Sequence, residues 1–184
     1  MSQTAARTET SIDRPIALVG LMGAGKTTVG RRLARALGLK FFDADKEIER
    51  AADRSVVEIF SDFGEEAFRD GERKVIARLL DEGPCVLALG GGAFANDATR
   101  AIVRDKAVTV WLKADLDTLM ERVSRRDTRP LLLTGDPRQV MAELMAKREA
   151  AYSQADLTVD ATSGSHHATM KLIVNALERA GILS

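Results

Sequence analysis

A glycine-rich segment near the start of the chain constrains its fold more than any other feature. Residues 20–27 read GLMGAGKT, which fits the pattern G-x-x-x-x-G-K-[ST]. The apolar run at 16–19 before it predicts a buried strand, and Val29, Leu33 and Leu37 after it recur at helical spacing. A strand, a glycine turn and a helix in this order predict a phosphate-binding loop, because glycines let successive backbone N–H groups point at phosphate oxygens.

Two side chains of this loop suit a bound nucleotide. Lys26 can reach the β- and γ-phosphates, and the Thr27 hydroxyl can bind Mg²⁺. The alternative is a plain glycine turn followed by a surface lysine. The strand before the loop and the amphipathic helix after it argue against that alternative.

Short apolar runs alternate with helical periodicity along the rest of the chain. Further strands are predicted to end at 41–42 and to span 86–89, 107–112 and 157–159. Further helices are predicted around 64–81, 116–123, 140–145 and 172–182. Such alternation predicts an α/β fold, a parallel sheet with helices on both faces.

The domain organisation follows from length and composition. With 184 residues, we expect one domain over 15–184. Residues 1–14 contain no apolar run and predict a disordered tail. A cleaved targeting peptide is the alternative, but Glu9 and Asp13 count against it. The polar segment 124–136 predicts a loop.

Charge and cysteine content exclude several kinds of protein. Lys+Arg and Asp+Glu number 27 each, so the excess positive charge typical of a general nucleic-acid binder is missing. The longest apolar runs, such as 85–89, are far too short to span a bilayer. One cysteine allows neither an intramolecular disulfide nor a cysteine-based zinc site. We therefore expect a cytoplasmic protein that binds neither nucleic acid nor membrane.

Acidic and glycine residues follow two predicted strands, where ligands of open α/β sheets bind. Asp43 and Asp45 follow the second strand and would face the same side of an extended chain. Two carboxylates there suit one magnesium-linked role and one hydroxyl-binding role, although Asp-x-Asp is also a common helix cap. Gly90, Gly91 and Gly92 follow the third strand, either as a simple turn or as a close approach for a small substrate.

Several arginines occupy unusual positions. Arg69 and Arg148 project onto the apolar faces of their predicted helices, so each needs an anionic partner. The partner is either internal, such as Glu72 for Arg69, or a ligand carboxylate held by bidentate contacts. Four more arginines crowd the entry to the polar loop, either as a solvated helix end or as a cover for a nucleotide: Arg122, Arg125, Arg126 and Arg129. His166 and His167 are expected to be exposed.

The motifs favour one class of phosphate-loop protein. A GTPase should carry an [NT]-K-x-D motif, and none occurs in the sequence. A motor or helicase-type ATPase normally has a strand ending in an acidic residue, whereas glycines 90–92 follow the third strand here. A small-molecule kinase fits better.

The ordered motifs closely resemble those of the shikimate kinases, a family of small phosphate-loop (P-loop) kinases. The matching segments are GLMGAGKT at 20–27, FDAD at 42–45, IE at 48–49, GEEAFR at 64–69, GGG at 90–92, RPLL at 129–132 and REAAY at 148–152. The resemblance covers roughly residues 16–180. It implies a five-stranded parallel sheet flanked by helices, with a mobile lid at about 124–136. It also implies ATP-dependent phosphorylation of the 3-hydroxyl of shikimate, a step towards chorismate and the aromatic amino acids.

The resemblance implies roles for the nucleotide side of the site. The loop residues that would bind ATP·Mg²⁺ are Gly23, Ala24, Gly25, Lys26, Thr27 and Thr28. Thr27 and Asp43 would hold Mg²⁺, with Asp43 acting through water. Arg122 would flank adenine, and Arg129 would reach in from the lid. The adenine-covering loop near 160–167 has no clean match in this sequence.

The resemblance also implies roles for the acceptor side. Asp45 would bind the reacting side of shikimate and is the candidate base, so the catalytic set is Lys26, Asp45 and Arg129. Arg69 and Arg148 would clamp the carboxylate, and glycines 90–92 would line the site. The resemblance favours a monomer.

Two other functions remain open from the sequence. A related kinase could act on gluconate or on a nucleoside monophosphate, and turnover with each acceptor distinguishes it. A non-enzymatic nucleotide-binding switch would bind ATP without acceptor-dependent turnover. The presence of Lys26, Asp43, Asp45 and Arg129 argues against the second alternative.

Overall fold

A parallel sheet forms the centre of the molecule. The structure, a computed structural model, describes residues 12–125 and 135–184. The strands are β1 (Ile16–Val19), β2 (Lys40–Asp43), β3 (Cys85–Ala88), β4 (Val108–Lys113) and β5 (Leu157–Asp160). They pair in parallel in the order β2-β3-β1-β4-β5. All five overlap the predicted strands, which confirms the α/β fold and the five-stranded sheet.

Helices flank this sheet and connect its strands. Within the described ranges they are α1 (Lys26–Leu37), α2 (Ala44–Ala52), α3 (Val56–Asp81), α4 (Asp97–Lys106), α5 (Leu116–Ser124), α6 (Pro137–Tyr152) and α7 (His166–Arg179). The helices α1, α5, α6 and α7 match predictions. The helices α2 and α4 were not predicted.

The long helix α3 begins earlier than the sequence analysis predicted. Ser55 and Glu58 form a capping box at its start, in which each side chain bonds the backbone of the other residue. The helix is kinked at Gly64, whose φ of 82° is a left-handed value. The predicted start at residue 64 is therefore the kink, and a further segment of helix precedes it.

The central strands bury all their side chains, as expected of a parallel sheet covered on both faces. Every residue of β1 and β3 is buried. In the packing around them, α1 contacts α7 and α3 contacts α4. The carboxyl ends of parallel strands lie at one edge of a sheet, so the segments after β1, β2 and β3 meet there.

The predicted N-terminal tail and the predicted lid lie mostly outside the described residues. These are residues 1–11 of the tail and residues 126–134 of the lid. Ile12, inside the predicted tail, is buried in the core, and Arg14 donates a hydrogen bond to the Asp105 carbonyl at 3.1 Å. In the described ranges, no helix combines the length and the apolar character needed to cross a bilayer.

Candidate active site

The segment between β1 and α1 is a tight loop in which two positions require glycine. Gly23 and Gly25 have φ values of 84° and 93°. A Cβ atom on Gly23 would lie 2.9 Å from Val123 Cγ2, and one on Gly25 would lie 3.1 Å from the His166 ring. Gly25 also caps α1, whose N-terminal N–H groups open towards the loop. This arrangement is the strand, glycine turn and helix that the motif predicted, with the geometry of an anion-binding loop.

The Lys26 side chain folds back over this loop. Its Nζ donates hydrogen bonds to the carbonyl oxygens of Gly20 at 2.6 Å and Leu21 at 2.9 Å. The ammonium charge is therefore held beside the backbone N–H groups of the loop. A phosphate in the loop would meet both kinds of donor.

Asp43 joins the end of β2 to the phosphate loop. Its Oδ2 accepts a hydrogen bond from the Thr27 hydroxyl at 2.8 Å. Its Oδ1 caps α2 by accepting from the backbone N–H groups of Asp45 and Lys46. The helix-cap alternative is therefore correct, and the same carboxylate also lies beside Thr27. These hydroxyl and carboxylate oxygens are donors of the type that Mg²⁺ prefers.

Asp45 lines the same cleft as Asp43 but meets a different segment of it. The sequence predicts that both carboxylates face the same side of an extended chain, and both do face this cleft, although α2 begins at Ala44 and only Asp43 is extended. Asp45 faces the glycines after β3, and a Cβ atom on Gly90 would lie 2.7 Å from Asp45 Oδ1. The two carboxylates therefore serve different parts of the site, one at the phosphate loop and one at the glycine turn.

Glycines 90–92, called the glycine turn below, also receive both predicted arginines. A Cβ atom on Gly91 would lie 3.0 Å from Arg148 Nη1, and one on Gly92 would overlap the Arg69 guanidinium. The absence of side chains lets these groups approach the backbone. The structure thus brings together one carboxylate and two guanidinium groups that are far apart in the sequence.

Arg69 has the internal partner that the sequence analysis offered as an alternative. Its Nη1 donates to Glu72 Oε1 at 2.7 Å, and the Glu72 side chain is 1% exposed. Burial raises the pKa of the Glu72 carboxyl, and the nearby Arg69 charge opposes this rise. Phe68 lies 5.2 Å from the guanidinium. Glu72 holds one edge of the guanidinium, while Nη2 lies against Gly92, so the internal pair does not exclude a ligand.

Two neighbouring clefts meet along the glycine turn. A cavity of about 810 Å³ lies between α3 and α6 and is lined by Arg69, Arg148 and Gly92. The second cleft is lined by the phosphate loop, Asp43, Asp45 and Gly91. A small acceptor in the first cleft would therefore lie next to phosphates in the second.

Arg122 ties the phosphate loop to the segment after β5. Its Nη1 lies 3.4 Å from the carbonyl oxygens of Gly23 and Ala24, and its Nη2 donates to the Ala161 carbonyl at 2.8 Å. This places it at the outer edge of the loop. Among the neighbouring arginines, Arg125 is exposed and pairs with Glu121 at 2.5 Å, which fits a solvated helix end. Arg126 and Arg129 lie outside the described residues.

Two residues at the site were missed from the sequence. His166 was expected to be exposed, but it is half-buried and its ring lies against Gly25. Tyr152 is buried, and its hydroxyl donates a hydrogen bond to the Gly91 carbonyl. Both contacts join segments far apart in the sequence. Tyr152 ends the REAAY segment at 148–152, but that segment does not indicate a contact with Gly91. The prediction for His167 is correct, since it is exposed.

Comparisons with known proteins agree with this geometry. The family model described as shikimate kinase matches residues 22–178. A shikimate kinase of Caulobacter vibrioides is 56% identical over 167 residues, which cover 91% of this chain and 84% of the relative. One of Novosphingobium aromaticivorans is 50% identical over 172 residues, covering 91% and 89%.

A solved structure gives the same result at the level of the fold. The shikimate kinase from Acinetobacter baumannii, in complex with shikimate, superposes with a TM-score of 0.87 at 35% identity, covering 91% of this chain and 94% of that one. The family match covers the phosphate loop from Met22 onward, the glycine turn and both arginines that line it. On this evidence the chain belongs to the shikimate kinase family.

Proposed function

We propose that this protein transfers the γ-phosphoryl group of ATP to the 3-hydroxyl of shikimate, giving shikimate 3-phosphate and ADP on the route to chorismate. The observation that carries the proposal is the meeting of Asp45, Arg69 and Arg148 at the glycine turn, beside the phosphate loop. Shikimate is a ring with hydroxyls and one carboxylate. One carboxylate and two guanidinium groups are the complementary partners.

The phosphate loop would bind the triphosphate of ATP. The backbone N–H groups of Gly23 and Gly25 and of the first residues of α1, including Thr28, would donate to the phosphate oxygens. The Ala24 N–H donates to the Leu21 carbonyl at 3.1 Å and shapes the loop. Lys26 exchanges its two carbonyl contacts for the β- and γ-phosphates, which are stronger acceptors because they are charged. The adenine would lie between Arg122 and the 161–166 segment, because both border the outer edge of the loop.

Thr27 and Asp43 would hold Mg²⁺, with water between Asp43 and the ion. The hydroxyl and the carboxylate already lie 2.8 Å apart at the mouth of the loop. Among the described residues, no cluster of three or more candidate ligands occurs. The ion would therefore take its remaining ligands from phosphates and water, as is usual for Mg²⁺. When bound, it neutralises charge on the β- and γ-phosphates.

Asp45 would act on the acceptor. Its carboxylate orients the 3-hydroxyl and takes the proton as that oxygen attacks the γ-phosphorus. The new bond joins the shikimate oxygen to phosphorus, and the bond from phosphorus to the β,γ-bridging oxygen breaks, releasing ADP. The position of Asp45 at Gly90, beside the phosphate-loop cleft, supports this role.

Loss of Arg69 or Arg148 should weaken the binding of shikimate far more than the binding of ATP. We expect Arg69→Ala or Arg148→Ala to cost about 2–5 kcal/mol of shikimate binding free energy, because a buried carboxylate loses a charged partner. Calorimetry with each ligand measures this. Arg78→Ala, on the same helix as Arg69 and paired with Glu82, is the control and should change neither affinity. Equal weakening of ATP and shikimate would favour a purely structural role.

Arg129, which lies outside the described residues, is proposed to stabilise the transferring phosphoryl group. Pro130 after it disfavours helical backbone, and an extended arginine on a lid can reach the phosphates. We expect Arg129→Ala to lower kcat by about 10²-fold or more, with dissociation constants changing only several-fold. Arg129→Lys should recover only part of the rate, because lysine lacks the planar fork.

The control for this prediction is Arg125→Ala. The Arg125 side chain is exposed, and among the described residues it pairs with Glu121. Its kcat should match that of the wild type. If Arg129→Ala loses both affinities while kcat at saturation survives, Arg129 is a binding residue and the catalytic role is wrong.

A coupled assay of ADP release tests the function as a whole. ADP release should depend on shikimate and should stay at background with gluconate, AMP or CMP. Turnover with one of those acceptors instead would assign a related kinase activity. ATP binding without any acceptor-dependent turnover would indicate a nucleotide-binding switch.

We further propose that residues 15–184 form one domain and that the enzyme is a monomer of the cytoplasm that acts on neither nucleic acid nor membrane. The balanced charge of the chain supports the absence of nucleic-acid binding. Sedimentation at several protein concentrations checks the monomer, because a self-associating protein would sediment faster at higher concentration.

A further inference from the structure

Tyr152 occupies a position at the site that the proposed reaction does not yet use. It is the last residue of α6 and is 1% exposed. Its hydroxyl donates a hydrogen bond to the carbonyl oxygen of Gly91, the middle residue of the glycine turn. Burial raises the pKa of this phenol, so the hydroxyl keeps its proton and stays a donor at neutral pH.

Tyr152 is itself held firmly from two directions. Its ring packs against Trp111 of β4, with ring centroids 5.8 Å apart. The positive charge of Arg148, one helical turn earlier on α6, lowers the pKa of the same phenol and so opposes the effect of burial. The end of α6 therefore joins a rigid strand, a clamp arginine and the glycine turn.

The glycine turn needs a hydrogen bond from outside to fix the orientation of its peptide groups. Glycines have the widest choice of backbone angles, so three in a row do not fix the direction of their peptide groups. The Gly91 carbonyl and the Gly92 N–H belong to one planar peptide unit and point in opposite directions. A hydrogen bond that fixes the Gly91 carbonyl therefore also fixes the Gly92 N–H. Gly92 is the glycine whose Cβ position the Arg69 guanidinium occupies.

We propose that Tyr152 is a positioning residue for the acceptor: by holding the Gly91 carbonyl, it aims the Gly92 N–H and the Arg148 guanidinium at the same carboxylate of shikimate. This inference rests on the proposed function. Gly91 also lies close to the phosphate loop, since a Cβ atom on it would be 3.8 Å from the Gly20 carbonyl oxygen and from Met22 N. The hold on Gly91 therefore also sets the distance between acceptor and phosphates.

Tyr152→Phe tests the inference, because it removes only the hydroxyl and keeps the ring against Trp111. We expect the KM for shikimate to rise about 5- to 20-fold, since the Gly91 carbonyl loses its donor and the peptide is free to turn. The KM for ATP should stay within about twofold, because no ATP contact is proposed for this peptide.

Thr109→Val is the matched control. Thr109 is fully buried in the first half of β4, away from the site, and its hydroxyl bonds the Asp156 carboxylate at 2.9 Å. It should lower the Tm without moving either KM. A purely structural role for Tyr152 predicts the same result for Tyr152→Phe, and that result would overturn the inference.

A double variant supplies a second readout, measured on folded protein below the Tm. In an Arg148→Lys background, the loss of the Tyr152 hydroxyl should raise the KM for shikimate by a smaller factor than in the wild type, because both groups serve one carboxylate. If the Tyr152 and Arg148 substitutions raise the KM for shikimate independently, so that the factor in the double variant is the product of the two single factors, the inference is contradicted. If the wild type shows no shikimate-dependent ADP release, the proposed function fails instead, which is a distinct outcome.

Discussion

Replacement of Lys26 by alanine should reduce shikimate-dependent ADP release by on the order of 10³-fold, at the upper end of what one preorganised charged donor contributes. Lys26 is the only lysine among residues 20–27, so no neighbour in the loop can replace its charge. The fold should survive, because the two carbonyl oxygens to which Lys26 donates belong to its own loop.

The measurement combines kcat from the coupled assay with the thermal unfolding curve of each variant. Lys74→Ala is the control, because Lys74 is exposed on α3 and pairs with Asp70. Its kcat and Tm should stay close to those of the wild type. Lys26→Arg should recover little activity, because a planar guanidinium does not reproduce the compact ammonium group in so tight a loop. Near-normal turnover by folded Lys26→Ala would disprove the nucleotide site.

The phosphate loop was predictable because all its determinants are contiguous in the sequence. The glycines, Lys26 and Thr27 lie within eight residues, and the buried strand before them reads directly as an apolar run. The central strand β3 was predictable for the same reason, since each of its residues is buried. Local patterns of this kind do not depend on how the rest of the chain packs.

The helices α2 and α4 were missed because few of their residues face the core. α2 buries only Ala44 and Ile48, and α4 buries only Thr99 and Val103. Two buried residues in a helix are too few to reveal a helical period in the sequence. The capping residues carried the missing signal: Asp43 precedes α2, Asn96 precedes α4, and both accept hydrogen bonds from the first turn.

The arginines were identified because a buried charge is costly, so its presence on an apolar face demands a partner. The sequence left open whether the partner of Arg69 is internal or a ligand, and the structure shows Glu72 on one edge and the glycine turn on another. The Tyr152–Gly91 contact spans 61 residues and exists only once the sheet has formed. No pattern along the chain contains that information.

Replacement of Asp45 by asparagine should lower kcat by about 10²- to 10⁴-fold, the usual contribution of a positioned general base. Asparagine has nearly the same shape and can still accept a hydrogen bond, but it cannot take the proton of the acceptor hydroxyl. The fold should be retained, because the Asp45 backbone N–H is capped by Asp43 at 3.1 Å regardless of the side chain. The dissociation constant of ATP should therefore remain unchanged.

The matched control lies on the same helix, where Glu47→Gln makes the same change of carboxylate to amide. Glu47 pairs with Arg50 at 2.7 Å, which involves no residue of the site, so its kcat should equal that of the wild type. Shikimate affinity of Asp45→Asn, measured by calorimetry, separates catalysis from binding: it should fall by a much smaller factor than kcat. If shikimate binding weakens strongly while kcat at saturation stays within a few-fold, Asp45 only orients the acceptor. The proton would then leave by another route, with the γ-phosphoryl group itself the nearest basic group.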